Sequence, residues 1–267
     1  MINDAKESKI RLNAAKALAL EAGDILRRGF GNVSQVAFKG AVDLVTEIDQ
    51  QTEAFLRGEI RAQFPQDGIW GEEQGLETSE DWNGWTWVVD PLDGTTNYVH
   101  RVPHFATSIG ITFQQVPTVG VIHAPMRDCT YSACVGMGAF ANGRPLRVSE
   151  TQDLKKALLV TGFPYDRAQT AEALLGPVKR AFEQARGLRR HGAASLDFVD
   201  VAAGVFDGYW EPRLCPWDMA AGVVLLQEAG GTVSRYGGDT FSIDSPDVIC
   251  SNGHLHEALI AMVRGDS

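Results

Sequence analysis

Asp90-Pro91-Leu92-Asp93-Gly94-Thr95-Thr96-Asn97 is the segment of this 267-residue chain with the greatest capacity for chemistry. It follows an apolar β-type run, residues 85–89, so both acids stand where a strand gives way to a loop. Two carboxylates three positions apart, with a proline stiffening the link, can address one cation. Hard oxygen donors of this kind suit Mg²⁺ or Mn²⁺ far better than Zn²⁺. Gly94 permits close backbone approach, and Thr95 and Thr96 supply hydroxyls. A helix starting here would offer its free N–H groups to a phosphate. An Asp-Gly step alone commonly just caps a turn; the second acid and the two threonines argue for function.

Three further acid clusters occur along the chain. Gly71-Glu72-Glu73 lies between a helix ending near Phe64 and the strand holding Trp87. Trp217-Asp218-Met219-Ala220-Ala221-Gly222 opens a helix rich in small residues. Asp43-Leu44-Val45-Thr46-Glu47-Ile48-Asp49 starts the second helix. Taken singly, paired glutamates are ordinary surface, and an acid in a first helical turn is an ordinary partner of the helix dipole. Other phosphate chemistries lack their residues. No cysteine has an arginine six positions later, as a thiolate phosphatase needs, and Asp90 and Asp93 are wrongly spaced for a phosphoaspartate enzyme. There is no GxxxxGK[ST] loop. His100, His104, His123, His191, His254 and His256 are scattered and give structural zinc no support. His254 and His256 are expected at the surface.

The elements that must position these acids follow from periodicity. Ile10, Ala14, Ala17, Leu18 and Ile25 mark one face of an N-terminal helix, stopped by Gly29-Phe30-Gly31-Asn32. Residues 33–42 have no clear period and suggest a hairpin or a mobile loop. The second helix begins near Glu47 and buries Ile48, Phe55 and Leu56. Phe105, Thr107, Ile109, Ile111 and Phe113 alternate as a strand, with residues 119–123 as its antiparallel partner. Residues 130–135 and the neighbourhood of 139–140 continue the sheet, and Asn142-Gly143 marks a tight turn. After about residue 150 the rhythm becomes strand, helix, strand, helix. Strands are expected at 158–161, 206–210, around Val233 and at 248–250; helices at 171–185, 195–204, 217–229 and 254–263. This predicts an α/β layer packed beside an α+β first half. The expected division is residues 1–148, carrying most candidate ligands, and residues 149–267, carrying Asp218, with a tight join between them.

Composition narrows the function classes. An apolar fraction of 44% with 22% charged residues matches a soluble globular chain. A net charge of −10 argues against nucleic acid as a partner, because phosphate backbones select basic faces. It does not argue against phosphorylated metabolites, since a bound cation reverses the local field. No signal-like segment or bilayer-length apolar run is visible, so no membrane role is expected. The four cysteines form no CxxC pair, and reduced thiols in a cytoplasmic protein are expected.

Jointly, Asp43 to Thr46 with Asp49, Gly71 to Glu73, Asp90 to Asn97 and Trp217 to Gly222 resemble the inositol monophosphatase family, in the family's order and across about residues 39–231. The resemblance implies a layered αβαβα sandwich of the inositol monophosphatase and fructose-1,6-bisphosphatase type. It implies that Glu72, Asp90, the Leu92 carbonyl, Asp93 and Asp218 hold two or three Mg²⁺ ions, with Mn²⁺ as a substitute. Thr95, hydrogen-bonded to Asp49, would orient or deprotonate the attacking water, with Glu72 also catalytic. Asp93, Gly94, Thr95, Gly192, Ala194, Glu211 and Asp218 would line the substrate, and Glu211 would bind ring hydroxyls. Glu73 and Lys39 would support the ions from behind. The implied reaction is Mg²⁺-dependent hydrolysis of a phosphomonoester on a small polyol or sugar, first of all inositol 1-phosphate, in a lithium-sensitive homodimer. Fructose-1,6-bisphosphatase, histidinol-phosphatase and nucleotide 3′-phosphatase are the alternatives within the superfamily; a metal- and phosphate-binding regulatory protein is the alternative outside catalysis.

Overall fold

The computed structural model describes residues 2–32, 36–38, 44–77, 84–164 and 167–266. The first helix, α1 (Ile2–Gly29), buries Ala15, Leu18, Ala19, Ala22 and Leu26. This face is rotated from the expected one, and Ile10 and Ala17 are exposed. The cause is Arg11, which is buried, binds Asp67 through two nitrogens at 2.8 Å each and lies over the rings of Trp85 and Phe64. A bidentate partner and aromatic faces let a guanidinium occupy a position that periodicity alone gives to an aliphatic residue.

The region expected as a hairpin or loop, residues 33–42, holds β1 (Val36–Phe38), which pairs antiparallel with β2 (Leu44–Thr46) just beyond it. Lys39 and Asp43 lie outside the described residues. Thr46 then caps α2 (Glu47–Gln63): its hydroxyl accepts from Ile48 N at 3.1 Å, and Asp49 accepts from Thr46 N at 2.9 Å. Next come β3 (Gly68–Gly71), β4 (Gly75–Glu77), β5 (Trp85–Asp93), the single turn α3 (Thr95–Val99), β6 (Ala106–Phe113), β7 (Val116–Ala124), β8 (Cys129–Cys134), β9 (Gly138–Ala141) and β10 (Arg144–Pro145). The strands form one eight-stranded sheet in the order β10-β9-β8-β7-β6-β5-β3-β4, parallel only between β3 and β5. At the expected turn, Asn142 and Gly143 both take positive φ, the backbone that a two-residue hairpin demands. β3 and β4 were not anticipated; each is too short to display a period.

The second half supplies β11 (Leu158–Thr161), α4 (Arg167–Gln184), β12 (Gly187–Arg189), α5 (Ala194–Ala202), β13 (Gly208–Pro212), α6 (Pro216–Glu228), β14 (Thr232–Ser234), β15 (Asp247–Ser251) and α7 (His256–Arg264). Its sheet runs β12-β11-β13-β15-β14, with β11 parallel to both neighbours and β15 antiparallel to both of its own. The layers are α1 and α2, the large sheet, α5 and α6, the small sheet, then α4 and α7. The central apolar cluster joins Ala106, Ile122 and Ala133 of the large sheet to Phe198, Val224 and Leu225 of the middle helices and Val160, Tyr209 and Val248 of the small sheet. Gly110 and Gly120, paired across β6 and β7, let α6 lie against the sheet; a Cβ on either would overlap Ala220 or Ala221. That contact fixes where Asp218 arrives.

His256 corrects one expectation. His254 is exposed, but His256 is buried, its ring nitrogens bonded to Ser251 Oγ at 3.0 Å and Ser234 Oγ at 2.9 Å. Two hydroxyls from adjacent strands satisfy the ring inside the fold. No disulfide joins the cysteines. Among the described residues, no helix is long and apolar enough to cross a membrane.

Candidate active site

A register shift in β5 creates the site. Asp90 stands opposite Ser108 and Asp93 opposite Ala106, so β5 carries one extra residue across this interval. Side chains alternate along a strand, and residues three apart would face opposite sides; a one-residue bulge returns them to the same side. Pro91, with no N–H to donate, sits inside the bulge. Asp90 is 2% exposed and accepts from Leu92 N at 3.0 Å. Its carboxyl is held well above the usual range, first by burial and then by repulsion from Glu72, Asp93 and Asp218. Asp218, in the first turn of α6, accepts from Cys215 N at 2.7 Å. It too is pushed well up, by burial and then by Asp93, with the Cys215 N–H opposing. Among the described residues, no lysine or arginine pairs with Asp90, Asp93 or Asp218. Buried, mutually repelling carboxylates of this kind are the donor set that a hard divalent cation requires.

Asp93 has a second occupation. It accepts from Ala194 N at 3.1 Å, Ser195 N at 2.8 Å and Ser195 Oγ at 2.5 Å, tying the β5–α3 turn to the start of α5. Burial raises its pKa, and these donors oppose the rise. Gly94 has φ +94°, and a Cβ there would stand 3.1 Å from the His104 carbonyl and 3.3 Å from Ala193 Cβ. Only glycine meets both demands. Asn97, quoted in the motif but given no task, donates to the carbonyls of His104 at 2.8 Å and His191 at 2.9 Å. It thereby holds the loop bearing Gly192 and Ala194 beside Asp93.

Thr95 and Asp49 meet from 46 positions apart: the hydroxyl lies 3.1 Å from Asp49 Oδ1 and 3.0 Å from the Leu92 carbonyl. The Leu92 oxygen, expected to face a cation, and Asp49 Oδ1 compete here for the one Thr95 hydroxyl proton. Asp49 is raised by burial, while donors from Thr46 and Thr95 pull it back.

Glu53 was missed by the sequence reading. Fully buried on α2, it accepts from Glu73 N at 2.7 Å, Gln74 N at 3.0 Å and Arg57 Nε at 2.8 Å. Its carboxylate fills the space where a Cβ on Gly71 would sit. Glu53 therefore positions Glu72 and Glu73, both half-buried. The available signal was an acid and an arginine at i,i+4 on the face that holds Leu56 and Ile60.

Glu211, next to last in β13, is 9% exposed, and Tyr209 Oη donates to it at 2.5 Å. Burial, aided by Asp93, raises it to about 7 against the pull of Tyr209 and Arg190. Gly162, at the end of β11, leaves the space its carboxylate occupies. Sequence gave no reason to single out Gly162.

The description of the inositol monophosphatase family matches residues 8–266. An inositol-1-monophosphatase of Synechocystis sp. is 42% identical over 93% of this chain and 86% of its own length. A Nus factor SuhB of Escherichia coli is 39% identical over 96% of each chain. The solved structure of an inositol monophosphatase from Anabaena superposes with a TM-score of 0.88 at 39% identity, covering 96% of each chain. Sequence, fold and a buried carboxylate cluster agree: the chain belongs to the inositol monophosphatase family, whose members are metal-dependent phosphatases that hydrolyse phosphomonoesters.

Proposed function

We propose that this chain is a Mg²⁺-dependent inositol-1-monophosphatase that works by direct attack of water on phosphorus. The observation that carries the substrate assignment is Glu211, a buried carboxylate that shares its electrostatic environment with Asp93 and Asp218. An ionised carboxylate there accepts hydrogen bonds from the hydroxyls of a polyol ring.

Glu72, Asp90, Asp93 and Asp218 would hold the cations. When bound, these supply the charge that eases deprotonation of water and stabilises the leaving oxygen. The chain's own residues do the positioning. Asp49 receives the Thr95 hydroxyl proton as a hydrogen bond, which leaves the Thr95 oxygen to accept one from the attacking water. Asp49 is itself fixed by Thr46 N and Thr46 Oγ1. The Gly94 turn and the Gly192–Ala194 loop, clamped by Asn97, form the wall on which phosphate and ring are aligned. Such alignment supplies a large part of the rate enhancement in phosphoryl transfer. Lithium inhibition follows if Li⁺ competes for one cation position.

The test is phosphate release from inositol 1-phosphate, fructose 1,6-bisphosphate, histidinol phosphate and a nucleoside 3′-phosphate, each with Mg²⁺ and with excess chelator. The expected result is Mg²⁺-dependent turnover that is highest for inositol 1-phosphate. Preference for another ester would reassign the substrate, and a flat panel would favour the regulatory reading.

A further inference from the structure

We propose that His104, His191 and Asp197 form a binding site for a first-row transition cation such as Zn²⁺, separate from the carboxylate cluster that suits Mg²⁺. His104 lies in the loop after α3, His191 in the loop before α5, and Asp197 in the first turn of α5. One ligand atom from each falls within 4.8 Å of the other two. The imidazole rings meet edge to face with centroids 4.9 Å apart, and His191 Nδ1 is 3.9 Å from Asp197 Oδ1.

The independent observation is a concentration of unanswered polar atoms. Among the described residues, five buried side-chain nitrogens and oxygens lack a hydrogen-bond partner, and four belong to this trio: His104 Nε2, His191 Nδ1 and both oxygens of Asp197. Buried polar atoms are almost always paired, so four orphans facing one another need a cause. Asp197 is fully buried, with Glu211, Asp93 and Asp200 adding like charge and Arg190 opposing them. One cation can take a ligand atom from each of the three residues.

The donor set selects the class of ion. Two imidazole nitrogens and one carboxylate oxygen suit Zn²⁺ and its neighbours, whereas Mg²⁺ and Ca²⁺ take oxygen shells. A tetrahedral zinc with bonds of about 2.0–2.1 Å spaces its donors about 3.3 Å apart. Modest side-chain rotations close the present spacing to that value, and a fourth position stays open. Arg127, which lies 3.5 Å from His104 Nδ1, is neutralised by Asp200 at 2.6 and 2.8 Å. Ligation through His104 Nε2 places the ring proton on Nδ1, so the 3.5 Å contact of Nδ1 with Arg127 must open. The backbones of both histidines are already held together by Asn97. A bound ion would therefore cross-link the two segments that set Gly94 and Ala194.

The test uses the full chain, stripped with chelator and then held in saturating Mg²⁺ so that the carboxylate cluster is filled. Zn²⁺ is titrated in and bound zinc counted per chain. Co²⁺ is substituted in parallel, because its visible spectrum reports nitrogen and oxygen ligation. The expected result is one tightly held Zn²⁺ and cobalt d–d bands. His104→Phe and His191→Gln should each weaken zinc about 100-fold or more, since even changes to groups behind a metal ligand cost about 10–100-fold. Asp90→Asn should leave zinc binding intact. Absence of zinc at saturating Mg²⁺, retention of wild-type affinity in the folded histidine variants, or thiolate charge-transfer bands from cobalt would each overturn the site. Should the variants fail to fold, the wild-type cobalt spectrum decides.

Discussion

Replacing Asp93 with asparagine separates the two tasks of that carboxylate. Its oxygens answer three donors, Ala194 N, Ser195 N and Ser195 Oγ. Asparagine keeps one oxygen and turns an NH₂ toward the remaining donors, and an orphaned donor costs about 1–3 kcal/mol. Loss of repulsion with Asp90 and Asp218 offsets part of this, so the metal-free variant should be only slightly less stable. The larger effect lies in linkage to Mg²⁺. An ion at 100 times its Kd stabilises the native state by about 2.7 kcal/mol, and at about 2–4 °C per kcal/mol that raises Tm by about 5–10 °C. Thermal unfolding of chelator-treated protein across a Mg²⁺ series should show this rise in the wild type and less than about 2 °C in Asp93→Asn. Turnover should fall about 100-fold or more, equivalent to about 2.7 kcal/mol of barrier. A variant that keeps both the Mg²⁺-dependent rise in Tm and near-normal kcat would refute the assignment of Asp93 to the cation.

Glu211→Ala should lower kcat/KM for inositol 1-phosphate by about 10–100-fold, the worth of a hydrogen bond to a charged group, and should spare a simple aryl phosphate. Gly162→Ala should reproduce that split by displacing the Glu211 carboxylate, and equal losses on both esters would remove the recognition role. Glu211 also predicts a pH dependence: with its pKa raised from 4.5 to about 7, the folded state holds a proton that the unfolded chain has lost. Its contribution is fully present below pH 4.5 and disappears as pH rises through 7, about 3 kcal/mol in all. Denaturant titrations of metal-free Glu211→Gln should lack that part of the slope between pH 5 and 8; an unchanged slope would show that Glu211 titrates normally. Glu53→Ala takes the Nε partner from Arg57, itself 2% exposed, which keeps Glu77 and the Gly75 carbonyl, and should cost about 1–3 kcal/mol of stability; a loss well below about 1 kcal/mol would mean that the Gly71–Glu73 turn stands without it.

Local sequence determined the elements and the chemical inventory. Residues 158–161 form a strand because β-branched and aliphatic side chains alternate between two buried faces, and Asn142-Gly143 turns because both positions accept positive φ. Asp90 and Asp93 read as hard-cation donors from residue type and spacing, while the acids of the other motifs joined them only through the family resemblance. What sequence could not show is which way those acids point. Along an unbroken strand Asp90 and Asp93 would diverge; only pairing with β6 reveals the extra residue that turns them together. Glu53, Gly162 and Ser195 were invisible for the same reason, since each acts on a partner brought close by the fold rather than by the chain. Periodicity encodes which side of an element is buried, but a polar pair such as Arg11 and Asp67 shifts that face, and the partner lies 56 residues away. A carboxylate's identity is written in the chain; its neighbours, and therefore its charge and its function, are set by tertiary packing.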